Sequence, residues 1–226
     1  MPAIICTVDV VLLTLEGNAL KVALFQRDKE PFKNTLALPG GFIHEQEDQD
    51  AQDAAARMLR DKTGIASPYL EQLACFSGRG RDPRGWSVSI AYYALVPAIA
   101  LTGIGASGGI LTPVERVKGL PFDHADIVRM AVERVRAKST YSSLPVHLCG
   151  EQFTLPQLQA VYETILGEPI NKVSFRRKME ELDILEPIAG AMESGKAHRP
   201  AQLYQLKRQF LRQLSLTDRG LNSGST

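Results

Sequence analysis

The chain has 226 residues, and 44% of them are hydrophobic, which is enough to fill one large core or two modest ones. The net charge of +1 does not indicate a nucleic-acid partner, so any basic surface must be confined to particular segments. The three cysteines and four histidines lack the spacing of a metal site or a redox pair, which predicts reduced thiols and a cytoplasmic location. No run is long and apolar enough to cross a membrane, and the apolar run from Ala3 to Leu15, interrupted by Asp9, predicts a buried strand rather than a secretory signal.

The first part of the chain predicts a mixture of strands and helices. Apolar runs at residues 4–15 and 20–26 flank Glu16-Gly17-Asn18, a pattern that predicts a hairpin. Residues 50–62 predict a helix that ends at Gly64. Further strands are predicted at residues 35–38, 70–77 and 86–96, with a basic turn at 78–85. These elements predict an α/β (α+β) sandwich.

Residues 103–108 match G-x-G-x-x-G, but Pro113 follows and neither a helix nor a βαβ unit surrounds them, so we interpret the stretch as a loop. Asp123 is then the predicted N-cap of a helix whose apolar stripe consists of Ile127, Met130, Ala131 and Val135. A polar linker at 138–143 follows this helix. It predicts a boundary between a ligand-binding domain (1–138) and a second domain (139–226).

The segment from Leu38 to Ile65, LPGGFIHEQEDQDAQDAAARMLRDKTGI, resembles the box of Nudix hydrolases. That pattern is G-x5-E-x7-R-E-U-x-E-E-x-G-U, where U is a bulky apolar residue. Aligned from its end, the chain retains Arg57, Leu59, Gly64 and Ile65 but has Met58, Asp61 and Lys62 where the family has glutamates. Fifteen residues also separate Gly41 from Arg57, where the pattern has thirteen.

Those three positions decide whether the box can hold metal ions. Magnesium requires oxygen ligands, and carboxylates three or four residues apart share one face of a helix. Met58 offers no oxygen, Lys62 adds positive charge, and Asp61 alone makes a weak magnesium site. We therefore expect a Nudix fold that binds a nucleotide-sugar diphosphate, with no catalytic residues, no metal and no hydrolase activity.

The C-terminal part predicts a winged helix-turn-helix. Thr154 and Gln157 form a capping-box start, and Gly167 ends that helix. Asn171 caps a second helix at 172–182, whose apolar stripe is Phe175, Met179 and Leu182. Two short strands at 184–188 and 201–206 then predict a hairpin that serves as the wing.

The second helix has the layout of a recognition helix, with one face packed and the other able to enter the major groove. A helical wheel places Val173 and Arg177 opposite the apolar stripe and Lys178 nearer the packed side. Arginine can bind guanine bidentately, and valine can contact a thymine methyl group. An exposed basic helix face with no partner is the alternative. The predicted DNA-binding residues are Lys172, Val173, Ser174, Arg176, Arg177 and Lys178, with Lys196, His198 and Arg199 in the wing loop.

Nearly the whole chain resembles the Nudix-related transcriptional regulators (the NrtR family). The stretches that carry the resemblance are LPGGFIHEQED, GRDPRGWSVSIAYYAL, LPFDHADI, FTLPQLQAVYETILG, NKVSFRRKM and HRPAQLYQLKR. The resemblance implies a bacterial repressor of NAD biosynthesis or salvage genes. It also implies a homodimer on double-stranded palindromic operator DNA, with ADP-ribose as the effector and no cofactor. Some relatives regulate pentose or other sugar genes instead.

The resemblance also places the ligand site in the Nudix domain. Gly40 and Gly41 would allow the backbone to approach the ligand closely. Arg57 and Asp61 remain at the box, where Arg57 is alternatively a structural ion-pair partner. The arginine fork suits diphosphate oxygens, so the remaining ligand residues predicted to engage diphosphate or ribose are Arg27, Arg81, Asp82 and Arg84. Trp86, Tyr92 and Tyr93 are interpreted as core or dimer-interface aromatics.

Two other classes of function stay open at this stage. One is an ADP-ribose pyrophosphatase with an accessory domain, in which Glu45, Glu47 and Asp48 would supply replacement metal ligands. The other is a nucleotide-sensing scaffold that never binds DNA. The tail after Leu214 is mostly small and polar, and we expect it to be disordered.

Overall fold

The structure is a computed structural model, and it describes residues 4–66, 69–193 and 200–217. The chain divides into two compact units, Met1–Arg134 and Val135–Thr226. The division falls within the same helix as the boundary predicted from the sequence. Over the described ranges, no helix has the length and apolarity needed to span a membrane.

A seven-stranded sheet dominates the described part of the first unit. Its strands are β1 (Ile5–Glu16), β2 (Ala19–Gln26), β3 (Leu36–Ala37), β4 (Gly40–Phe42), β5 (Leu70–Gly78), β6 (Ser87–Leu95) and β7 (Gly109–Pro113). β1 pairs in parallel with β6 and antiparallel with β2 and β4. β3 and β7 pair with β2, and β5 pairs with β6, all antiparallel. The predicted hairpin at Gly17 is therefore confirmed, whereas β4 and β7 were not predicted.

β1 is buried on both faces, as expected for a central strand. Val8 and Leu12 pack in a cluster with Leu59 of the helix α1 (Ala51–Thr63). Alternation along the strand points Val11 and Leu13 to the opposite face, where they too have no exposed surface. Burial of each such side chain stabilises the fold by about 1.5–3 kcal/mol, so both faces of the sheet contribute to the core.

The two α-helices that begin in the described part of this unit start within one position of the predicted residues, and the first of them also ends within one position of Lys62. Asp50 caps α1 through a hydrogen bond from the Asp53 amide, and Gly64 ends it in the left-handed conformation. The helix α2 (His124–Ser139) follows Asp123, whose carbonyl accepts a hydrogen bond from the Ile127 amide. Ile127, Ala131 and Val135 are buried as predicted, but Met130 is 37% exposed and lies outside the stripe.

The glycine-rich stretch at residues 103–108 forms a 3-10 turn, Ile104–Ser107, that leads into β7. It does not open an α-helix, which confirms that the sequence is not a dinucleotide-binding motif. Short 3-10 turns also occur at Ala98–Leu101, Val114–Arg116, Leu144–Leu148 and Arg208–Phe210.

The second unit contains α3 (Leu155–Leu166), α4 (Lys172–Leu182) and a three-stranded antiparallel sheet. The strands are β8 (Phe153–Thr154), β9 (Leu185–Glu193) and β10 (Ala201–Leu206), with β10 between the other two. Thr154 and Gln157 form the predicted capping box, and the rings of Tyr162 and Phe175 meet at 5.4 Å where α3 and α4 share a core. Helix, turn, helix and hairpin are the elements of the predicted winged helix.

Candidate ligand site and candidate DNA-binding surface

A cavity of about 340 Å³ opens in the first unit between β1, β2, β4, α1 and the turn after β5. Its size falls in the range of about 300–1,000 Å³ that is typical of small-molecule sites. The structure brings most of the predicted ligand residues to its wall, namely Arg27, Gly40, Gly41, Arg81, Asp82 and Arg84. Arg57 and Asp61 do not line it.

Two guanidinium groups share this cavity with aromatic rings. Arg27 lies over the ring of Phe122 at 4.9 Å, and Arg84 lies over the ring of Phe42 at 5.4 Å. Burial and the positive charge of Arg84 lower the pKa of Arg27, against the opposing effect of nearby carboxylates. Phe122 has a φ of 56°, a left-handed backbone that non-glycine residues rarely adopt and that often marks functional sites. An anion placed between the two arginines would relieve their repulsion.

Arg81 anchors the floor of the cavity. Its side chain is only 7% exposed, and it donates two hydrogen bonds to the Asp123 carboxylate, at 2.9 and 2.8 Å. It also donates to the Ser87 hydroxyl, and its NH2 atom lies 3.6 Å from Asp9. Arg81 is therefore a paired, buried cation that ties the turn after β5 to the start of α2.

A buried carboxylate and a buried imidazole complete this floor. Nδ1 of His124 accepts a hydrogen bond from the Leu38 amide, so the proton of the neutral ring is on Nε2, 3.4 Å from Asp9 Oδ1. The Ser89 hydroxyl donates to the other Asp9 oxygen at 2.6 Å. Burial alone would raise the pKa of Asp9, but His124, Ser89 and Arg81 outweigh it and lower that pKa. The sequence interpretation missed this pair. The sequence signal for this pair was Asp9, a charged residue inside an apolar run.

The two glycines of the box are required for different structural reasons. A Cβ atom on Gly40 would lie 2.0 Å from Asp9 Oδ1 and 2.8 Å from the Val8 carbonyl oxygen. A Cβ atom on Gly41 would lie 2.3 Å from the terminal methyl carbon of Met58. Gly40 thus allows β4 to approach β1, and Gly41 makes room for a flexible side chain.

Arg57 is held in an ion pair within the box segment. Its Nε and NH2 atoms donate to the two Asp48 oxygens at 2.7 Å each, and NH2 also donates to the Phe42 carbonyl. The hydrogen bond from Arg57 lowers the pKa of Asp48 to about 2, against the effect of burial and with help from the His44 amide. Asp61 is exposed, 3.9 Å from Arg57. The geometry matches the structural interpretation of Arg57 that the sequence left open.

The residues at the box do not fit the divalent cation of a working Nudix hydrolase. Met58 and Lys62 both line the cavity at positions where the pattern has glutamates. Asp48, one of the possible replacement ligands, already pairs with Arg57. Within the described ranges, no group of three or more His, Cys, Asp or Glu side chains is placed to hold a metal ion.

The exposed face of α4 is the candidate DNA-binding surface. The Asn171 side chain accepts hydrogen bonds from the Val173 and Ser174 amides and so begins the helix as predicted. Phe175, Met179 and Leu182 are buried in the core of the unit. The predicted residues on the exposed face are Lys172, Val173, Ser174, Arg176 and Arg177.

Lys178 departs from the prediction. Its side chain is buried, with Nζ 3.8 Å from Glu181, because its position on the helix turns it toward the core beside Met179. We therefore leave Lys178 out of the candidate surface. Lys196, His198 and Arg199 lie outside the described residues. The strands before and after them, β9 and β10, pair antiparallel as the predicted wing requires.

The fold and these two features define a regulator-type architecture, in which a Nudix domain precedes a DNA-binding winged helix. Family models agree with this division, since the NUDIX domain matches residues 6–134 and the NrtR DNA-binding winged helix domain matches residues 145–206. The chain belongs to the NrtR family of Nudix-related transcriptional regulators.

Two similar proteins, one of them represented by two solved structures, place the chain within this family. The ADPR responsive transcriptional repressor NtrR of Acinetobacter baylyi is 39% identical over 208 residues, which cover 90% of this chain and 82% of that protein. Shewanella oneidensis NrtR, crystallised with a 27mer DNA, is 39% identical, with a TM-score of 0.88 over 95% of this chain and 98% of that chain. The Nudix domain of the same protein, cocrystallised with ADP ribose, has a TM-score of 0.55 over 60% of this chain and 90% of that chain, at 39% identity. The ADP-ribose pyrophosphatase of Methanocaldococcus jannaschii is 32% identical over 110 residues, 48% of this chain and 64% of that protein.

Proposed function

We propose that this protein is a transcriptional repressor whose winged helix binds operator DNA and whose Nudix domain binds ADP-ribose. The observation that carries the proposal is the cation-lined cavity at a box with Met58 and Lys62 in place of glutamates, in one chain with an exposed basic recognition helix. Relatives described as an ADPR responsive repressor and as complexes with DNA and ADP ribose support both halves.

The chemistry of the cavity suits a diphosphate flanked by sugars and a base. Arg27, Arg84 and Lys62 supply positive charge, and arginine forks match pairs of phosphate oxygens. The ring of Phe42 is exposed and that of Phe122 is partly buried; both stand beside those arginines and offer surfaces for a sugar or an aromatic base. ADP-ribose contains all three chemical parts.

For the DNA, we propose that the N-terminal half of α4 enters the major groove. Arg176 and Arg177 would bind guanine edges or phosphates, and Val173, which is 78% exposed, would contact a thymine methyl group. Affinity should then depend strongly on salt, because phosphate contacts release counterions. A homodimer would place two such helices on the half-sites of a palindromic operator.

We further propose that α2 transmits the state of the cavity to the winged helix. Its first residue, His124, lines the cavity, and the preceding Asp123 holds Arg81. The same helix continues past Arg134, where the first unit ends, to Ser139. A ligand that contacts Arg81 therefore acts at one end of α2, and the other end of this helix belongs to the second unit. The ligand can shift DNA binding only as far as its affinities for the DNA-binding and the non-binding conformations of the protein differ.

The proposed targets are genes of NAD biosynthesis or salvage in a bacterial cytoplasm. ADP-ribose is the part of NAD that remains when nicotinamide is removed, so a protein that senses it would report on NAD breakdown. Regulation of pentose or other sugar genes is the alternative, with a different phosphorylated effector at the same cavity.

The enzyme hypothesis remains the second candidate, favoured by the similarity to an ADP-ribose pyrophosphatase. We propose that this chain lacks that activity, because the box carries a thioether and an ammonium group where metal-binding carboxylates are required. Incubation with ADP-ribose and Mg²⁺ or Mn²⁺ should release no AMP above the background rate.

A gel shift at fixed salt tests the proposed function. The DNA would come from upstream of the protein's own gene and of the adjacent genes, with and without ADP-ribose. A specific shift that ADP-ribose alters would support the repressor and its effector. A specific shift that does not change with ADP-ribose would refute the assignment of ADP-ribose as the effector. The absence of any specific shift, together with rapid AMP release, would favour the enzyme.

A further inference from the structure

We propose that Lys62 takes the place of the divalent cation of Nudix enzymes, so that this cavity binds its diphosphate ligand without metal. The inference deepens the proposed function and depends on the ligand site described there. Lys62 would then have a role opposite to that of the glutamate that it replaces. The glutamate reaches the diphosphate through a metal ion, whereas the ammonium group of Lys62 would contact the phosphate oxygens directly.

The position of Lys62 places its charge at the cavity. Met58 and Lys62 are four residues apart on α1, so they lie on the same face of the helix, and both line the cavity. In the Nudix pattern both positions hold glutamates, whose oxygens bind the metal that in turn binds the diphosphate. Here the ammonium group stands where the carboxylate and its cation would have been.

Lys62 is also uncommitted within the part of the chain that the structure describes. Arg81 is paired with Asp123, and Arg84 is paired with Asp82, each through two or more hydrogen bonds. Among the residues that the structure describes, Lys62 has no carboxylate within 4.0 Å and no hydrogen-bond acceptor. Its side chain is only partly exposed, so its charge is held at the wall of the cavity without neutralisation. An anionic ligand would provide the missing partner.

The change at Met58 is consistent with this role. A glutamate at position 58 without a metal would repel a diphosphate, whereas a thioether is neutral. The Met58 methyl group instead fills the space left by Gly41. Loss of the carboxylate and gain of the ammonium group thus change the charge of the wall in the same direction. An ammonium group has three donors for phosphate oxygens and needs no metal.

The test is titration calorimetry of the full chain with ADP-ribose, in EDTA and again in Mg²⁺. We expect the wild-type dissociation constant to be the same in both buffers, within about twofold. Lys62→Ala should weaken binding about tenfold to a hundredfold in both, the usual effect of losing a hydrogen bond to a charged group. Lys62→Glu should weaken it further through repulsion, and Lys62→Arg should retain most of the affinity. Arg60→Ala is the matched control, because Arg60 is an exposed cation on the same helix outside the cavity wall.

Three results would overturn the proposal in distinguishable ways. Equal affinity of Lys62→Ala and Arg60→Ala would show that Lys62 does not contact the ligand. Wild-type binding that requires Mg²⁺ would show that a metal is still needed, while the ADP-ribose assignment would stand. The absence of wild-type binding in either buffer would overturn this inference and the proposed effector together. Retained operator binding by each variant would show that it is folded.

Discussion

Gly40→Ala should destabilise the first unit far more than a methyl group normally does. The new Cβ atom would lie 2.0 Å from Asp9 Oδ1 and 2.8 Å from the Val8 carbonyl oxygen, a backbone atom of the central strand. The carboxylate oxygen would have to retreat by about 1.4 Å to reach ordinary contact distance, and the β1–β4 pairing resists the corresponding shift of the backbone. Overpacking of this kind costs about 1–3 kcal/mol, and we expect the upper end because Asp9 also loses its hydrogen-bond geometry with Ser89 and His124.

The chain itself offers a selective assay for this change. Trp86 is the single tryptophan and belongs to the first unit, so its fluorescence follows the unfolding of that unit. A loss of about 3 kcal/mol should lower the unfolding temperature by about 6–12 °C. The affinity for ADP-ribose should fall as well, because Asp9 and His124 form part of the cavity wall.

Two neighbouring glycines are the controls. Gly41→Ala meets only the flexible end of Met58, so it should cost much less than Gly40→Ala. Gly80→Ala meets nothing within 4 Å and should be neutral or stabilise the protein by about 0.4–1 kcal/mol. If Gly40→Ala unfolds at the same temperature as Gly80→Ala, β4 does not approach Asp9 as closely as described, and the described arrangement of the cavity floor is wrong.

Three further predictions concern other parts of the molecule. Replacing Arg176 and Arg177 by Ala should weaken operator binding at least thirtyfold, from about 1–3 kcal/mol per arginine, and leave ADP-ribose binding unchanged; unimpaired anisotropy with labelled DNA would remove α4 from the interface. Burial lowers the pKa of His147 to about 4, so the unfolded chain binds the extra proton between pH 6.5 and 4. The stability of the second unit should be complete above pH 6.5 and decline by up to about 3 kcal/mol as the pH falls toward 4, and a His147→Leu variant with the same pH profile would contradict this. Arg57→Ala should lower the unfolding temperature, because Asp48 loses its partner, yet reduce ADP-ribose affinity less than Arg84→Ala does; an unchanged unfolding temperature would contradict the structural role of Arg57, and a larger loss of affinity than in Arg84→Ala would show that Arg57 binds the ligand.

The helices of the second unit could be predicted to the residue because their ends depend on local chemistry. Thr154 and Asn171 satisfy the first amides of their helices, and Gly167 adopts the left-handed conformation that ends α3. Such signals lie within a few residues of the structure they determine. For the same reason Gly64 marked the end of the box helix correctly.

The short strands β4 and β8 could not be predicted in this way. β4 has three residues and β8 has two, which is too few for any periodicity to appear. Their strand conformation depends on distant partners, such as the pairing of Gly41 with Val8. Only tertiary structure brings those segments together.

The candidate site shows the same limit. Motif and resemblance identified the arginines and glycines of the cavity, but Phe122 and His124 reach it only because α2 begins beside the turn that holds Arg81. Lys178 was included with its basic neighbours, although its place on the helix directs it toward the core. Composition alone does not separate the buried Lys178 from the exposed Arg177 beside it.

Reciprocal titration would test most directly whether one chain couples effector and DNA binding. The operator fragment from the gel shift would be titrated with protein at fixed salt across ADP-ribose concentrations, and ADP-ribose would be titrated with and without saturating operator. Because linkage is reciprocal, we expect the two dissociation constants to change by the same factor, about 5-fold to 150-fold. If ADP-ribose binds the protein but leaves the operator dissociation constant unchanged, the protein is not a repressor controlled by that ligand.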